Sequence, residues 1–449
     1  MTRVSRRLLV GAGPLVGALG VLGLLAVSAS PAVAAPAPGT DTEPAGQCTY
    51  PSKPYEGRPW ALQRVLLDEV WKQSTGKGVR VAVIDSGVDV KNKQLTAAVD
   101  VKSGRNVLPN PLKDEKGELI ERGKEDGTSD TVGHGTKVAG IIAARPAKGT
   151  GFVGLAPDAT IIPIQQNDAE GHGNALTLAT AINHAIAKEA KIINISQDTA
   201  NATEPTPVLR QAVNLALSKN ILIIASAGND GLGGNLKPTY PASYPGVLAV
   251  AASDRNNERA AFSQSGEFVG VAAPGVDMIS TVPGGGHCAD SGTSFSAPYV
   301  TGVAALIRAK HPKWTNAQVI TQIKQTAERS IPGHDRLVGW GVVDPVRALT
   351  EDEHPPAGAP VPGGGLTGVH APTAVELPVG ETPEERNARL GTYVVVGGGV
   401  LVAVIAGAAV AVRDSRRRGG RGRSSRHGRS SEHGSPQFGT RGTSPYQRP

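Results

Sequence analysis

The chain has 449 residues, 39% of them hydrophobic and 19% charged, with two cysteines and a formal charge of +7. That length exceeds one average domain, and two cysteines are too few for a disulfide-built scaffold or a structural zinc site, so neither a metal nor any other cofactor is expected. The charge is uneven: ten arginines against Asp414 and Glu432 give +8 from Arg413 onward, Arg3, Arg6 and Arg7 add three, and residues 8–412 are left at −4. The basic character belongs to the two ends, and a nucleic-acid partner is not indicated.

The three N-terminal arginines precede an apolar run from Leu8 to about Val27, and Ala32-Val-Ala34 supplies small residues for cleavage. Residues 1–34 therefore read as an export signal that leaves the mature chain outside the cytoplasm. Residues 35–57 form an N-terminal extension rich in Pro and Gly, too short to fold alone as a removable inhibitor. The body, residues 58–350, alternates short apolar strands with helical segments, which favours a parallel sheet. Strands are expected at 79–84, 160–164, 191–196, 221–226, 247–252 and 268–273, and the clearest helices at 174–188 and 205–219. Lys102 to Asp130 is polar and reads as a long surface loop. A further helix is expected from about Ser296 to Lys310, apolar all round and with Pro298 in its first turn. Residues 351–389 are a Pro/Gly-rich stalk. Residues 390–412 carry no charge over 23 positions, enough at about 1.5 Å per residue to cross a bilayer core. Residues 413–449 are a basic, disordered tail; its arginines mark the cytoplasmic side of a single span, where they meet anionic lipid, and place the body outside.

Four segments of the body carry chemistry. Gly292-Thr-Ser-Phe-Ser-Ala-Pro puts Ser294 beside the unpaired N–H groups of a helix start, which favour developing negative charge. Val81-Ala-Val-Ile-Asp-Ser-Gly ends a buried strand in Asp85, and Gly133-His-Gly-Thr leads from His134 into an apolar helix. A serine is a weak nucleophile until a base takes its proton; His134 can do that, and Asp85 can hold its tautomer. Ile221-Leu-Ile-Ile-Ala-Ser-Ala-Gly-Asn presents Asn229, whose amide can donate to an oxyanion. His172, His184 and His287 have no comparable context and read as surface or structural residues.

The order Asp, His, Asn, Ser in these contexts resembles the subtilisin-like serine proteases over roughly Trp60 to Leu349. The resemblance implies an α/β fold: a doubly wound, mostly parallel sheet with helices on both faces, followed here by one C-terminal transmembrane helix. It also implies an acyl-enzyme endopeptidase with Asp85, His134 and Ser294 as triad and Asn229 as oxyanion donor. The layout of signal, short extension, protease, stalk and span is similar to the mycosins, membrane-anchored proteases of type VII secretion systems. That similarity implies protein substrates and secretion-complex partners, and leaves open a structural subunit in which cleavage is secondary. Gly171, His172 and Gly173 match the family's substrate-edge segment, where an extended peptide could pair. Ser196, Gln197 and Asp198 stand where the family resembles a Ser-Leu-Gly-Gly strand beside the side-chain pocket, so Gln197 and Asp198 imply a more polar pocket. Lys137 replaces a histidine common in secreted relatives. Cys48 and Cys288 are the only thiols of an exported chain, away from cytosolic reductants, and are expected to be joined.

Overall fold

The computed structural model describes residues 48–113, 116–168, 173–196, 206–232, 238–358 and 383–419. The segments expected to form the export signal, most of the stalk and the tail beyond Gly419 lie outside the described residues. The chain forms two units. In order, the first contains α1 (Trp60–Gln63), α2 (Leu67–Gln73), β1 (Arg80–Asp85), β2 (Arg105–Asn106), α3 (His134–Ala143), β3 (Thr160–Gln165), α4 (Ala175–Ala187), β4 (Ile192–Ile195) and α5 (Pro207–Ser218). It continues through β5 (Leu222–Ser226), β6 (Leu248–Ser253), β7 (Val269–Pro274), β8 (Met278–Thr281), β9 (His287–Asp290), α6 (Thr293–Lys310), α7 (Asn316–Thr326) and α8 (Pro345–Thr350).

Seven strands form one sheet in the order β2-β3-β1-β4-β5-β6-β7, and every neighbouring pair is parallel. The strand residues are mainly Val, Ile, Leu and Ala because both faces are covered. The alternation of side chains divides them between two cores. Val81, Val83, Ile192, Leu222 and Ile224 pack in the layer that holds α3 and α6, while Ala82, Ile84, Ile193, Ile195, Ile223 and Ala225 face α4 and α5. Each fully buried aliphatic side chain contributes about 1.5–3 kcal/mol of transfer free energy. The sheet is thereby fixed as a rigid platform whose carboxyl edge can carry chemistry.

The expected strands are found within a residue or so of their predicted bounds, and α4 begins with Asn174 accepting from the Leu176 and Thr177 N–H groups. Three features differ from the sequence expectation. Helix α6 starts at Thr293, not near Ser296, because the side chain of Asn229 takes the Thr293 N–H and lets the helix begin earlier. Pro298 consequently lies inside the helix rather than in its first turn, and it offers no N–H to the carbonyl of Ser294. Second, β8 and β9, which are not among the elements expected from sequence, pair antiparallel across a turn containing Gly284, Gly285 and Gly286. Third, the segment 102–130 is not wholly surface: it contributes β2, and Asp130 is buried.

Of the second unit, residues 368–449, the described part is α9 (Pro383–Gly419), within which Arg386–Arg416 is long and apolar enough to cross a membrane.

Candidate active site

Asp85 ends β1 fully buried at the carboxyl edge of the sheet. Its Oδ1 accepts the Ser86 N–H at 2.8 Å and lies 2.7 Å from His134 Nδ1. A carboxylate can only accept, so Nδ1 carries the imidazole proton and Nε2 is left as the basic nitrogen. His134 is the first residue of α3, and Gly133 before it has φ +80°. A Cβ there would stand 2.3 Å from Tyr50 Oη, so the position requires glycine twice over. The imidazole keeps 23% exposure and packs on the Phe295 ring, with centroids 5.3 Å apart. Burial alone lowers its proton affinity, but the charge and hydrogen bond of Asp85 and the charge of Asp130 outweigh burial and the opposing charge of Lys137. The histidine is left above its ordinary value.

Asp130 stands behind this pair. Its two oxygens receive Ser86 Oγ at 2.9 Å, Gly133 N at 2.7 Å, Thr136 N at 2.8 Å and Thr136 Oγ at 2.5 Å. The carboxylate thus takes the Gly133 and Thr136 N–H groups at the start of α3, while Ser86 Oγ accepts the Gly135 N–H and, 3.3 Å from Asp85 Oδ1, links the two acids. Burial pushes Asp130 above the usual carboxylate range against the pull of those donors.

On the other side, Asn229 follows β5, and its Oδ1 accepts both the Thr293 N–H and the Thr293 hydroxyl at 2.9 Å. A backbone N–H can only donate, so the amide oxygen must face Thr293 and Nδ2 must face away from it. The Thr293 hydroxyl also accepts from the Gly228 N–H at 3.2 Å. Ser294 is the second residue of α6. A Cβ on Gly292 would fall 3.0 Å from Ser294 Oγ and 3.5 Å from Asn229 Nδ2, so hydroxyl and amide border the same small space. Among the described residues no hydrogen bond joins Ser294 to His134; the two are related through Phe295, next in sequence to Ser294 and in ring contact with His134.

Of the six residues expected to meet substrate, Gly171, His172, Gln197 and Asp198 lie outside the described residues. Gly173 follows β3, exposed, and a Cβ there would strike Gln166 Nε2. Ser196 follows β4, buried, and accepts from Asn194 Nδ2 at 2.7 Å. Since β1 lies between β3 and β4, these two flank the strand that carries Asp85. Cys48 and Cys288 form a disulfide with Cα atoms 6.0 Å apart. His287 beside it is buried and accepts the Tyr55 N–H at Nδ1, with Nε2 2.7 Å from Gln94 Oε1; burial lowers it to about 4, consistent with a structural role. Among the described residues no group of three or more His, Cys, Asp or Glu side chains is arranged to hold a metal ion.

Sequence reasoning missed Asp130, Thr293 and Asn194. Asn194 joins Ser196 to α6, since its Oδ1 accepts from the Thr301 hydroxyl at 2.8 Å. Thr293 adjoins Ser294 and could have been suspected from that position alone. Asp130, inside a polar run, gave no signal.

Residues 76–341 match the model of the subtilase family. Subtilisin E of Bacillus subtilis (strain 168) is 37% identical over 291 residues, covering 64% of this chain and 70% of that protein. Subtilisin Savinase of Lederbergia lenta is 35% identical over 287 residues, covering 64% and 96%. Among solved structures, MycP1 with its N-terminal propeptide removed is similar at a TM-score of 0.57 and 33% identity, over 67% of this chain and 99% of that one. MycP3, a protease from a type VII secretion system, is similar at 0.56 and 33%, over 67% and 90%.

Proposed function

The chain belongs to the subtilase family of serine proteases, and on that footing we propose that Ser294, His134 and Asp85 are its catalytic triad, with Asn229 as oxyanion donor. The observation that carries this reading is the buried Asp85 carboxylate 2.7 Å from His134 Nδ1, which leaves the other imidazole nitrogen free to act as base. His134 Nε2 takes the Ser294 proton as Oγ bonds to the substrate carbonyl carbon. The oxyanion is met by Asn229 Nδ2 and the Ser294 N–H, which has no carbonyl partner four residues back within α6. The imidazolium then protonates the leaving amine, the peptide bond breaks, and water repeats the sequence on the acyl-enzyme with His134 again as base.

The chain is further read as a membrane-anchored endopeptidase acting on exported proteins. Its export signal, the apolar stretch of α9 and the arginines beyond it support an extracytoplasmic protease domain and a cytoplasmic tail. Similarity to MycP1 and MycP3 supports an association with type VII secretion membrane components. A second reading, a subunit whose fold stabilises the secretion complex with cleavage secondary, draws support from the disulfide that fastens the N-terminal extension permanently to the body. Comparison of exported proteins from cells with wild type, Ser294→Ala and no protease separates the two. Loss of specific cleavage products in Ser294→Ala supports the endopeptidase; secretion that survives Ser294→Ala but stops on deletion supports the scaffold.

A further inference from the structure

Lys137 lies three residues after His134 on α3, and its side chain is only 7% exposed. A lysine so placed is rare unless paired, because removing an ammonium from water is costly. Its Nζ donates to Asp290 Oδ2 at 2.7 Å and stands 6.0 Å from the ring centres of both Tyr50 and Phe295. Each neighbour belongs to a different part of the site. Asp290 is the last residue of β9, two residues before Gly292 and two after Cys288. Tyr50 comes from the N-terminal extension, two residues after Cys48, and its hydroxyl donates to the Val132 carbonyl at 2.9 Å, just ahead of His134. Phe295 follows Ser294 and covers the His134 ring. The backbone carbonyl of Lys137 also accepts from Ser280 Oγ on β8, so the residue is held at both ends.

We propose that Lys137 and Asp290 are a positioning pair for the proteolytic reaction: the buried ammonium ties the His134 helix to the strand that enters the Ser294 turn, and sets the electric field at the imidazole. The proposal rests on the assignment of His134 as the base. Burial alone would lower Lys137, but the charge and hydrogen bond of the Asp290 carboxylate, with the Tyr50 hydroxyl, more than offset it and hold the ammonium above its ordinary value. The charged groups facing His134 are then Asp85 from β1 and Asp130 from the loop before α3, which favour the imidazolium, and Lys137 from α3 itself, which opposes it. Helix α6 presents the uncharged ring of Phe295, and β8 presents the hydroxyls of Ser280 and Thr281 to the backbone of α3. Among the described residues Lys137 is therefore the one cation that acts on His134 against these two anions, and it moves His134 toward the neutral form that catalysis needs. A purely structural ion pair would stabilise the fold without this signed effect.

The test is the rate at which an alkyl fluorophosphonate labels the full-length protein as a function of pH, with circular dichroism confirming the fold of each variant. Lys137→Met should move the rising acid limb to higher pH, slowing labelling roughly three- to tenfold at a pH on that limb, and Lys137→Arg should restore the wild-type position. Should Lys137→Met fail to fold, Lys137→Met with Asp290→Asn removes both charges together and should move the limb in the same direction. A limb that stays at the wild-type pH in a folded Met variant overturns the proposal, whatever the change in absolute rate. Wild-type protein that is not labelled, or Ser294→Ala protein labelled equally well, would instead refute the triad.

Discussion

On the His134 side of the site, position is set by charge: Asp85 holds the imidazole, Asp130 holds the start of its helix, and the Lys137–Asp290 pair secures that helix farther along. On the Ser294 side it is set by neutral groups. Thr293 fixes the Asn229 amide, Gly228 fixes Thr293, and Asn194 ties α6 to β4 through Thr301. Charged contacts strengthen in a buried setting but change with protonation, whereas neutral ones are indifferent to pH over the working range. The proposed base, which would change charge in every turnover, sits among groups that bias its charge. The proposed oxyanion donors, which would only have to stay aimed, sit among neutral hydrogen-bonding groups.

Substitutions on the neutral side should therefore lower the rate by the same factor at every pH, and this is where the contrast is most easily broken. Ser294→Ala should cost the most, roughly a millionfold in kcat, the scale known for the corresponding loss in subtilisin, with the melting temperature nearly unchanged. Asn229→Ala should cost about a hundredfold or more, again the subtilisin scale. Steady-state kinetics on a peptide substrate across the acid limb would check the second: a loss that varies with pH would mean that Asn229 is coupled to the charged groups after all. Thr293→Val keeps the shape but removes the hydroxyl that Asn229 Oδ1 accepts, leaving the Thr293 N–H as its single donor and the Gly228 N–H without its acceptor. At about 0.5–1.5 kcal/mol for a neutral hydrogen bond, turnover should fall two- to tenfold, with KM little affected. A fall beyond a hundredfold would show that Thr293 does more than aim the amide.

The two sides also differ in how much of them the sequence revealed. The neutral side was largely legible because its residues are neighbours in sequence or end strands of strong apolar character: Ser294 and Asn229 announce themselves through Gly-Thr-Ser and Ala-Gly-Asn, and the strands 221–226 and 191–196 were placed within a residue of β5 and β4. The charged side was legible only at Asp85 and His134. Lys137 and Asp290 are 153 positions apart, and nothing in composition marks a lysine as buried when its partner comes from another element. Asp130 was hidden for a related reason, since charged residues in a polar run ordinarily face water and only the folded chain closes Ser86, Gly133 and Thr136 around it. The β8–β9 hairpin was lost to its glycine-rich turn, and with it the strand on which Asp290 sits. The apolar stretch of α9 was readable from composition alone, because length and lack of charge define it.

The smallest expected effect is on stability, and it sharpens the same contrast without relying on activity. His134 has a proton affinity above its ordinary value in the folded protein, while in the unfolded chain it titrates near the reference of about 6.5. For a group raised on folding, the folded state binds the proton more tightly, so the stabilisation is fully present below the unfolded value and is lost as pH rises through the folded one. In a Ser294→Ala background, which prevents self-digestion, the melting temperature should exceed that of the Ser294→Ala/His134→Gln double variant by more at pH 5.5 than at pH 8.5. The corresponding difference for Asn229→Ala in the same background should be equal at both pH values, since no titrating group is removed. A His134 difference that is flat, or that grows toward alkaline pH, would mean that burial outweighs the two carboxylates and that the charged side does not hold its histidine by charge.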